Sequence, residues 1–124
     1  MMVKGIGNDI IATDRIKGVI NRQGQKFLDN TFTKQEQSYC DKHQESFRNY
    51  AGRFAAKEAV AKALGTGFRE NITFLDIEIM NDDNGRPYVV LSKRLENLLG
   101  DVTIHISISH CKEYANAVAI LCDN

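Results

Sequence analysis

The chain has 124 residues, 43% of them hydrophobic, and its 16 basic and 16 acidic side chains cancel to a formal net charge of zero. A chain of this length can form one domain with its own core. A domain this small keeps a large share of its surface exposed, so self-association would stabilise the protein. Balanced charge gives no global attraction to nucleic acid or to a membrane surface. No apolar run approaches the roughly 20 residues of a membrane span, and no signal-peptide pattern opens the chain. We therefore expect a single domain over residues 1–124, located in the cytoplasm.

The N-terminal residues predict a strand followed by a helix. Residues 3–11 combine β-branched side chains with glycine in a short apolar pattern that is typical of a strand, and this strand delivers Asp9 near its end. Thr13 or Asp14 can cap the helix that follows, which we expect to run to about Gln23.

Two further helices are indicated before the middle of the chain. Thr33 and Glu36 have the spacing of a capping box, which predicts that a short helix starts there. A long helix should then extend over about 45–64. Gly65 and Gly67 supply the backbone freedom that ends it.

The second half of the chain changes to strand periodicity. Leu75, Ile77 and Ile79 alternate with acidic residues, as in a half-buried strand. The pair Asn84-Gly85 predicts a two-residue hairpin turn into the next strand. The remaining predicted elements are a short helix capped by Ser92 and ending at Leu99, a strand over 102–109 and a last strand over 115–121.

This order of elements predicts an α+β domain in which an antiparallel sheet packs against the long helix. The three cysteines form no CxxC pair, which favours reduced thiols used in packing. His105 and His110 are an odd number of residues apart, so on one strand they would face opposite sides and could not together hold zinc. We expect His110 in a turn, whereas His105 suits either a ligand contact or an ordinary hydrogen bond.

The long helix carries an acid on its packing face. At 100° per residue, Phe47, Phe54 and Glu58 fall within roughly a 40° sector. One explanation is a surface salt bridge between Glu58 and Lys62 one turn later, which would contribute only a few tenths of a kcal/mol. The other is that Glu58 and a second carboxylate, with Asp9 as the candidate, bind a hard cation such as Mg²⁺. In that case three cations would form a phosphate clamp: Arg53, Lys57 and Lys62.

Four segments, taken together, resemble the holo-acyl-carrier-protein synthases, the small bacterial class of 4'-phosphopantetheinyl transferases. They are "GIGNDIIATDRI", "GRFAAKEAVAKALGTG", "DIEIMNDDNGRPYVVL" and "HISISHCKEYANAVAIL", and they cover nearly the whole chain in order. The resemblance implies transfer of phosphopantetheine from coenzyme A to a serine of apo acyl carrier protein, with release of adenosine 3',5'-bisphosphate, in support of fatty acid biosynthesis. It also implies the 4'-phosphopantetheinyl transferase fold.

The resemblance also assigns roles to individual residues. It implies that Asp9 and Glu58 are the Mg²⁺ ligands and that Lys62 lies beside the pyrophosphate, where it stabilises or protonates the leaving phosphate. The base that takes the serine proton stays open between direct action of Asp9 or Glu58 and a water held by them. With the cations of the clamp, the expected coenzyme A-binding set is Arg53, Lys57, Lys62, Gly65, Thr66, Asn84, Gly85, Arg86, Pro87 and His105.

Members of the family form homotrimers with active sites at subunit interfaces, so the resemblance implies a homotrimer here. Acyl carrier proteins are acidic, so docking requires a local basic strip, and the best candidate is Arg15, Arg22 and Lys26 if the first helix runs that far. We expect no nucleic-acid or membrane partner. A rival from another class is a non-catalytic coenzyme A or nucleotide-binding module, because a clamp and a metal site can bind without reacting.

Overall fold

The structure, a computed structural model, describes residues 1–65, 67 and 71–124. In this part of the chain, one strand precedes four successive helices, and a 3₁₀ turn then leads into two pairs of strands separated by a short helix. The elements are β1 (Met2–Ala12), α1 (Thr13–Gln23), α2 (Gln25–Thr31), α3 (Lys34–Asp41), α4 (Ser46–Ala63), the 3₁₀ turn (Phe74–Asp76), β2 (Ile77–Asn81), β3 (Pro87–Leu91), α5 (Lys93–Leu99), β4 (Val102–His110) and β5 (Tyr114–Asp123).

The strands form two antiparallel sheets. One has three strands in the order β1-β5-β4, and the other is the hairpin β2-β3. The long helix α4 packs across β1 and β5, and alanines dominate the contact on both sides. The predicted α+β fold with an antiparallel sheet on a long helix is therefore confirmed. In the part of the chain that is described, no helix combines the length and apolarity needed to cross a membrane.

Strand β1 lies almost directly on the backbone of α4. A Cβ added to Gly7 would be 1.8 Å from the carbonyl oxygen of Ala59, and one added to Gly5 would be 2.0 Å from that of Ala63. Only glycine fits at these two strand positions. Asp9 follows two residues after Gly7 and so points to the same side of the strand. The close approach therefore delivers Asp9 to the surface of α4.

The helical predictions are confirmed in part. The capping box of Thr33 and Glu36 is present, and α4 begins and ends within one residue of the expected range. No side chain caps α1, because Thr13 is already its first helical residue. Gly24, with φ of 61°, separates α1 from the unpredicted helix α2. Helix α1 ends at Gln23, as predicted, so it does not run far enough to place Lys26 on the helix face of Arg15 and Arg22.

Three details of the second half differ from the prediction. Leu75 lies in the 3₁₀ turn and is 43% exposed, so the strand starts only at residue 77. The hairpin loop has three residues, not two. The backbone N–H of Asp82 donates to the carbonyl of Arg86, and the backbone carbonyl of Asp82 accepts from the N–H of Gly85, which has φ of 84°. The Asp82 carboxylate favours this longer loop by accepting from the backbone N–H of Arg86 at 2.9 Å. His110 ends β4 and is not in a turn.

Candidate active site

A cleft of about 300 Å³ opens between β1, α1, α2 and α4. Its charged side contains Asp9, Glu58 and Lys62, which the sequence predicts as site residues, together with Arg15. The structure thus brings together two carboxylates and two cations from distant parts of the chain. The other side is apolar, and its residues are Ile10, Ile11, Ile16, Val19, Phe27 and Phe54.

Asp9 is held by contacts to its side chain and its backbone. The ammonium of Lys62 donates to the Asp9 carboxylate at 3.1 Å and to the carbonyl of Asn8 at 3.0 Å. From β5, the side-chain amide of Asn116 donates to the Asp9 carbonyl at 2.9 Å. Lys62 therefore forms its salt bridge with Asp9 and not with Glu58, and the surface-pair explanation of Glu58 is wrong.

Glu58 is half-buried in the cleft, one turn after Phe54. Burial raises its pKa, and the negative charge of Asp9 raises it further, while Lys62 and Arg15 act in the opposite direction. Two carboxylates that repel one another in a partly desolvated cleft are stabilised in their charged forms by a cation placed between them. The row of aromatic side chains on α4 thus ends in an acid because the row leaves the core there and enters the cleft.

The donor set of the cleft suits Mg²⁺. Among the residues the structure describes, no group of three or more His, Cys, Asp or Glu side chains could enclose a metal, so Asp9 and Glu58 are the candidates. Mg²⁺ is commonly bound by one or two carboxylates and completes its octahedron with water and phosphate oxygens. The two acids and the open cleft fit that pattern.

Arg53 lies in a separate pocket of about 160 Å³, which Gly85 and Pro87 of the predicted nucleotide hairpin also line. Its guanidinium stacks over the ring of Tyr39, 4.1 Å from the ring centroid, and donates to the side-chain oxygen of Asn81. Its buried Nε has no hydrogen-bond partner among the described residues. Because Arg53 is itself buried, at 4% exposure, what it brings to the pocket is the positive charge of its guanidinium.

Arg86 and Pro87 line a third pocket together with His105, between β3 and β4. The structure therefore groups the predicted hairpin residues with the predicted histidine. Asn84 is exposed at the tip of the hairpin, and Gly65, with φ of 86°, is exposed where α4 ends. Thr66 lies outside the described residues.

Lys57 does not reach any of these pockets. Its side chain is 0% exposed and its ammonium forms a salt bridge of 2.7 Å with Glu36, which is also 0% exposed. The prediction that Lys57 belongs to the phosphate clamp is therefore not supported by its placement. A lysine on a helix that carries other charged residues gives no sequence signal of burial, and its partner lies on another helix.

Two contributions to the cleft escaped the sequence analysis. Asn116 falls within the predicted last strand, and its hydrogen bond to the carbonyl of Asp9 joins residues that only the pairing of β1 with β5 brings together. Arg15 was assigned to carrier docking alone, but it also lines the cleft. Arg15 lies near the start of the helix that directly follows the strand of Asp9, and this closeness in sequence is a signal for a shared site.

Comparison with known proteins agrees with the geometry. Residues 5–119 match the family model of the 4'-phosphopantetheinyl transferase superfamily. A holo-[acyl-carrier-protein] synthase of Protochlamydia amoebophila is 54% identical over 119 residues, which are 96% of this chain and 98% of that protein.

Solved structures extend the comparison to the fold. A holo-(acyl-carrier-protein) synthase from Bacillus anthracis, crystallised in complex with CoA (3',5'-ADP), superimposes with a TM-score of 0.86 at 38% identity and full coverage of both chains (100% each). The Helicobacter pylori enzyme in complex with coenzyme A gives 0.86 at 34% identity, covering 94% of this chain and 99% of that one. This chain belongs to the holo-[acyl-carrier-protein] synthases of the 4'-phosphopantetheinyl transferase superfamily.

Proposed function

We propose that the cleft of Asp9, Glu58 and Lys62 is where this chain carries out the reaction of its family. That reaction transfers 4'-phosphopantetheine from coenzyme A to a serine of apo acyl carrier protein and releases adenosine 3',5'-bisphosphate, in support of fatty acid biosynthesis. The observation that supports it is the convergence of two carboxylates and a lysine on one open cleft, from a strand and a helix that touch through glycine and alanine.

In this proposal Asp9 and Glu58 hold Mg²⁺. When bound, Mg²⁺ supplies positive charge that neutralises the pyrophosphate oxygens and so exposes the phosphorus to attack. The Lys62 side chain is 51% exposed, so it can turn from Asp9 toward the pyrophosphate while staying within the cleft. Arg15 adds a second cation on the same side.

The chemical step is a displacement at phosphorus. The serine Oγ forms a bond to the phosphorus that carries the pantetheine, and the bond from that phosphorus to the bridging oxygen breaks. The serine proton passes to Asp9 or Glu58, directly or through a water they hold. The leaving phosphate departs as adenosine 3',5'-bisphosphate, and the Lys62 ammonium stabilises or protonates it.

The nucleotide end of coenzyme A is assigned to the second and third pockets. The positive charge of the Arg53 guanidinium, in a pocket that Gly85 and Pro87 also line, suits a phosphate group. Arg86 and His105 add a cation and a ring in the neighbouring groove. Asp9 and Arg53 line different pockets, so a single coenzyme A molecule would draw on more than one of them.

A homotrimer would bring these pockets of neighbouring subunits together. The side of the three-stranded sheet away from α4 exposes Ile6 and Ile10, at 68% and 63%. In the register of the sheet Ile6 pairs with Ile120, and Ile120 pairs with His105, so the apolar face ends at a predicted site residue. Such a face suits contact with a second copy of this chain. Light scattering should give the mass of three chains, and a monomer mass would contradict the trimer.

The mass of apo acyl carrier protein tests the function. Incubated with coenzyme A, Mg²⁺ and this protein, the carrier should gain one phosphopantetheine at its serine. A folded protein that binds coenzyme A and leaves the carrier mass unchanged would favour the non-catalytic binding module. Omission of Mg²⁺ is the matched control and should abolish the gain.

The basic strip for carrier docking spans two helices. Arg15 and Arg22 lie seven residues apart on α1, hence on one face, and Lys26 follows beyond Gly24 on α2. Arg22→Glu should raise the apparent Michaelis constant for the carrier several-fold and leave that for coenzyme A nearly unchanged. The wild-type reaction should also slow with added salt, because exposed charges are screened over about 8–10 Å.

Steady-state kinetics with each substrate varied in turn would measure this. Lys93→Glu, a charge reversal at an exposed position of α5, is the matched control and should leave both constants near wild type. If Arg22→Glu weakens coenzyme A as much as the carrier, or if salt has no effect, the carrier docks elsewhere.

A further inference from the structure

Lys57 uses all three of its ammonium protons inside the protein. The ammonium donates to the carbonyl of Thr31 at 2.8 Å, to the carboxylate of Glu36 at 2.7 Å and to the carbonyl of Phe74 at 3.0 Å. A lysine has only three donors, so none is left for a ligand. Removal of this side chain from water lowers the pKa of Lys57, and the Glu36 charge opposes that shift.

Glu36 extends the same cluster into two other elements. Its carboxylate also accepts from the backbone N–H of Thr33 and of Ile79, each at 2.8 Å. A buried ion pair is tolerated only when such additional hydrogen bonds satisfy its remaining atoms. The pair therefore ties α3 and β2 to the middle of α4.

The carbonyls that accept hydrogen bonds from Lys57 belong to two segments that each bring an aromatic ring against Phe54. Thr31 ends α2, whose Phe27 ring lies 6.4 Å from that of Phe54. Phe74 opens the 3₁₀ turn, and its ring stacks on that of Phe54 with the centroids 5.3 Å apart. Phe54 itself lines the cleft one turn before Glu58. One ammonium thus fixes both supports of the side chain that forms the apolar wall beside the acid.

We infer that Lys57 is a positioning residue for the transfer reaction, acting through Phe54 and its two aromatic supports and making no contact with coenzyme A. The inference rests on the proposed function for its kinetic readout. In this role Lys57, which directly precedes Glu58, supports the cleft from within the protein and binds no phosphate. The two roles predict different chemical reactivity of Lys57 in the unmodified protein.

Reductive methylation of wild-type protein, with and without coenzyme A, separates them. We expect Lys57 to stay unmodified under both conditions, because its amine is buried and hydrogen-bonded in the free protein as well. Lys62, which is 51% exposed, is the internal control and should be modified when free and protected by coenzyme A. Modification of Lys57 that coenzyme A prevents would overturn the inference. This measurement needs no variant and no transfer activity.

A double variant tests the positioning role. Lys57→Met/Glu36→Gln removes both charges at once, so neither is left buried alone. At a temperature where circular dichroism shows it folded, kcat should fall about tenfold or more while the Michaelis constant for coenzyme A stays within about twofold of wild type. A larger loss in coenzyme A binding than in kcat would contradict the inference.

Coupling to Phe54 is the sharper criterion. If Lys57 acts through Phe54, adding Phe54→Leu to the double variant should lower kcat by no more than about twofold beyond the worse of the two alone. If the reductions in kcat of the double variant and of Phe54→Leu multiply when combined, Lys57 and Phe54 act independently, and the inference is overturned. Absence of transfer by the wild-type protein would instead contradict the proposed function, and the methylation result would still decide the placement of Lys57.

Discussion

Glu58→Gln and Asp9→Asn should each lower the rate of phosphopantetheine transfer by two orders of magnitude or more in a protein that remains folded. Each substitution keeps the shape of the side chain and removes the charge that a hard cation requires. Metal charge stabilises such transition states by several kcal/mol, and about 1.4 kcal/mol corresponds to a tenfold change in rate. The gain in carrier mass with time, at saturating Mg²⁺ and coenzyme A, measures the loss.

Thermal unfolding supplies the control for Glu58. Burial and the Asp9 charge raise the pKa of Glu58, so its charged form is less favourable in the folded state than in the unfolded state. Without metal, Glu58→Gln should therefore raise Tm by up to a few degrees near neutral pH. The gain should disappear below the usual pKa of 4.5, where Glu58 is protonated in both states. Unchanged turnover of either variant would exclude that residue from the metal site.

Gly7→Ala is expected to destabilise the protein severely. The new Cβ would lie 1.8 Å from the carbonyl oxygen of Ala59 and 2.8 Å from the backbone nitrogen of Ala63. Backbone atoms cannot rotate away, so β1 would have to separate from α4. Overpacking of this kind costs about 3 kcal/mol or more. Urea denaturation would show the loss, and transfer should fail as Asp9 moves away from Glu58.

Gly18→Ala is the matched control for that substitution. On helix α1 its Cβ would meet only the flexible guanidinium of Arg22, at 3.1 Å. Alanine in a helix interior is favoured over glycine by up to about 1 kcal/mol, so this variant should be as stable as wild type or more stable. Equal stability of the Gly7→Ala variant would contradict the tight contact between β1 and α4.

Elements that carry their own local signal could be predicted from the sequence. The capping box at Thr33, the glycines after α4 and the alternation along β4 are each fixed by neighbouring residues. Helix α2 has no such signal, because Gly24 precedes it and no side chain caps it. Leu75 continued an apparent alternation, but the carboxylate of Asp76 accepts from the backbone N–H of Thr73 and bends the chain into a 3₁₀ turn.

The sequence could predict which residues belong to the candidate site better than it could predict how they are arranged in space. The residues alone suggest Asp9 as a partner of Glu58, and the resemblance implies that both are metal ligands. Their meeting in one cleft depends on small residues that the sequence also displays. Gly5 and Gly7 share one side of a strand, and Ala59 and Ala63 share one face of a helix. The burial of Lys57 could not be foreseen, because its acceptors come from segments that only the tertiary fold brings together.

The same backbone contact makes the geometry of the reaction independent of most of the hydrophobic core. Peptide atoms of β1 and α4, and not the volumes of large side chains, set how far Asp9 stands from Glu58. Ile77 on β2 and Leu95 on α5 are fully buried but belong to neither of the two touching elements, so we expect their substitution to lower the melting temperature and to leave that spacing unchanged. The interior can therefore drift in evolution, or be redesigned for heat resistance, while the catalytic spacing is inherited unchanged.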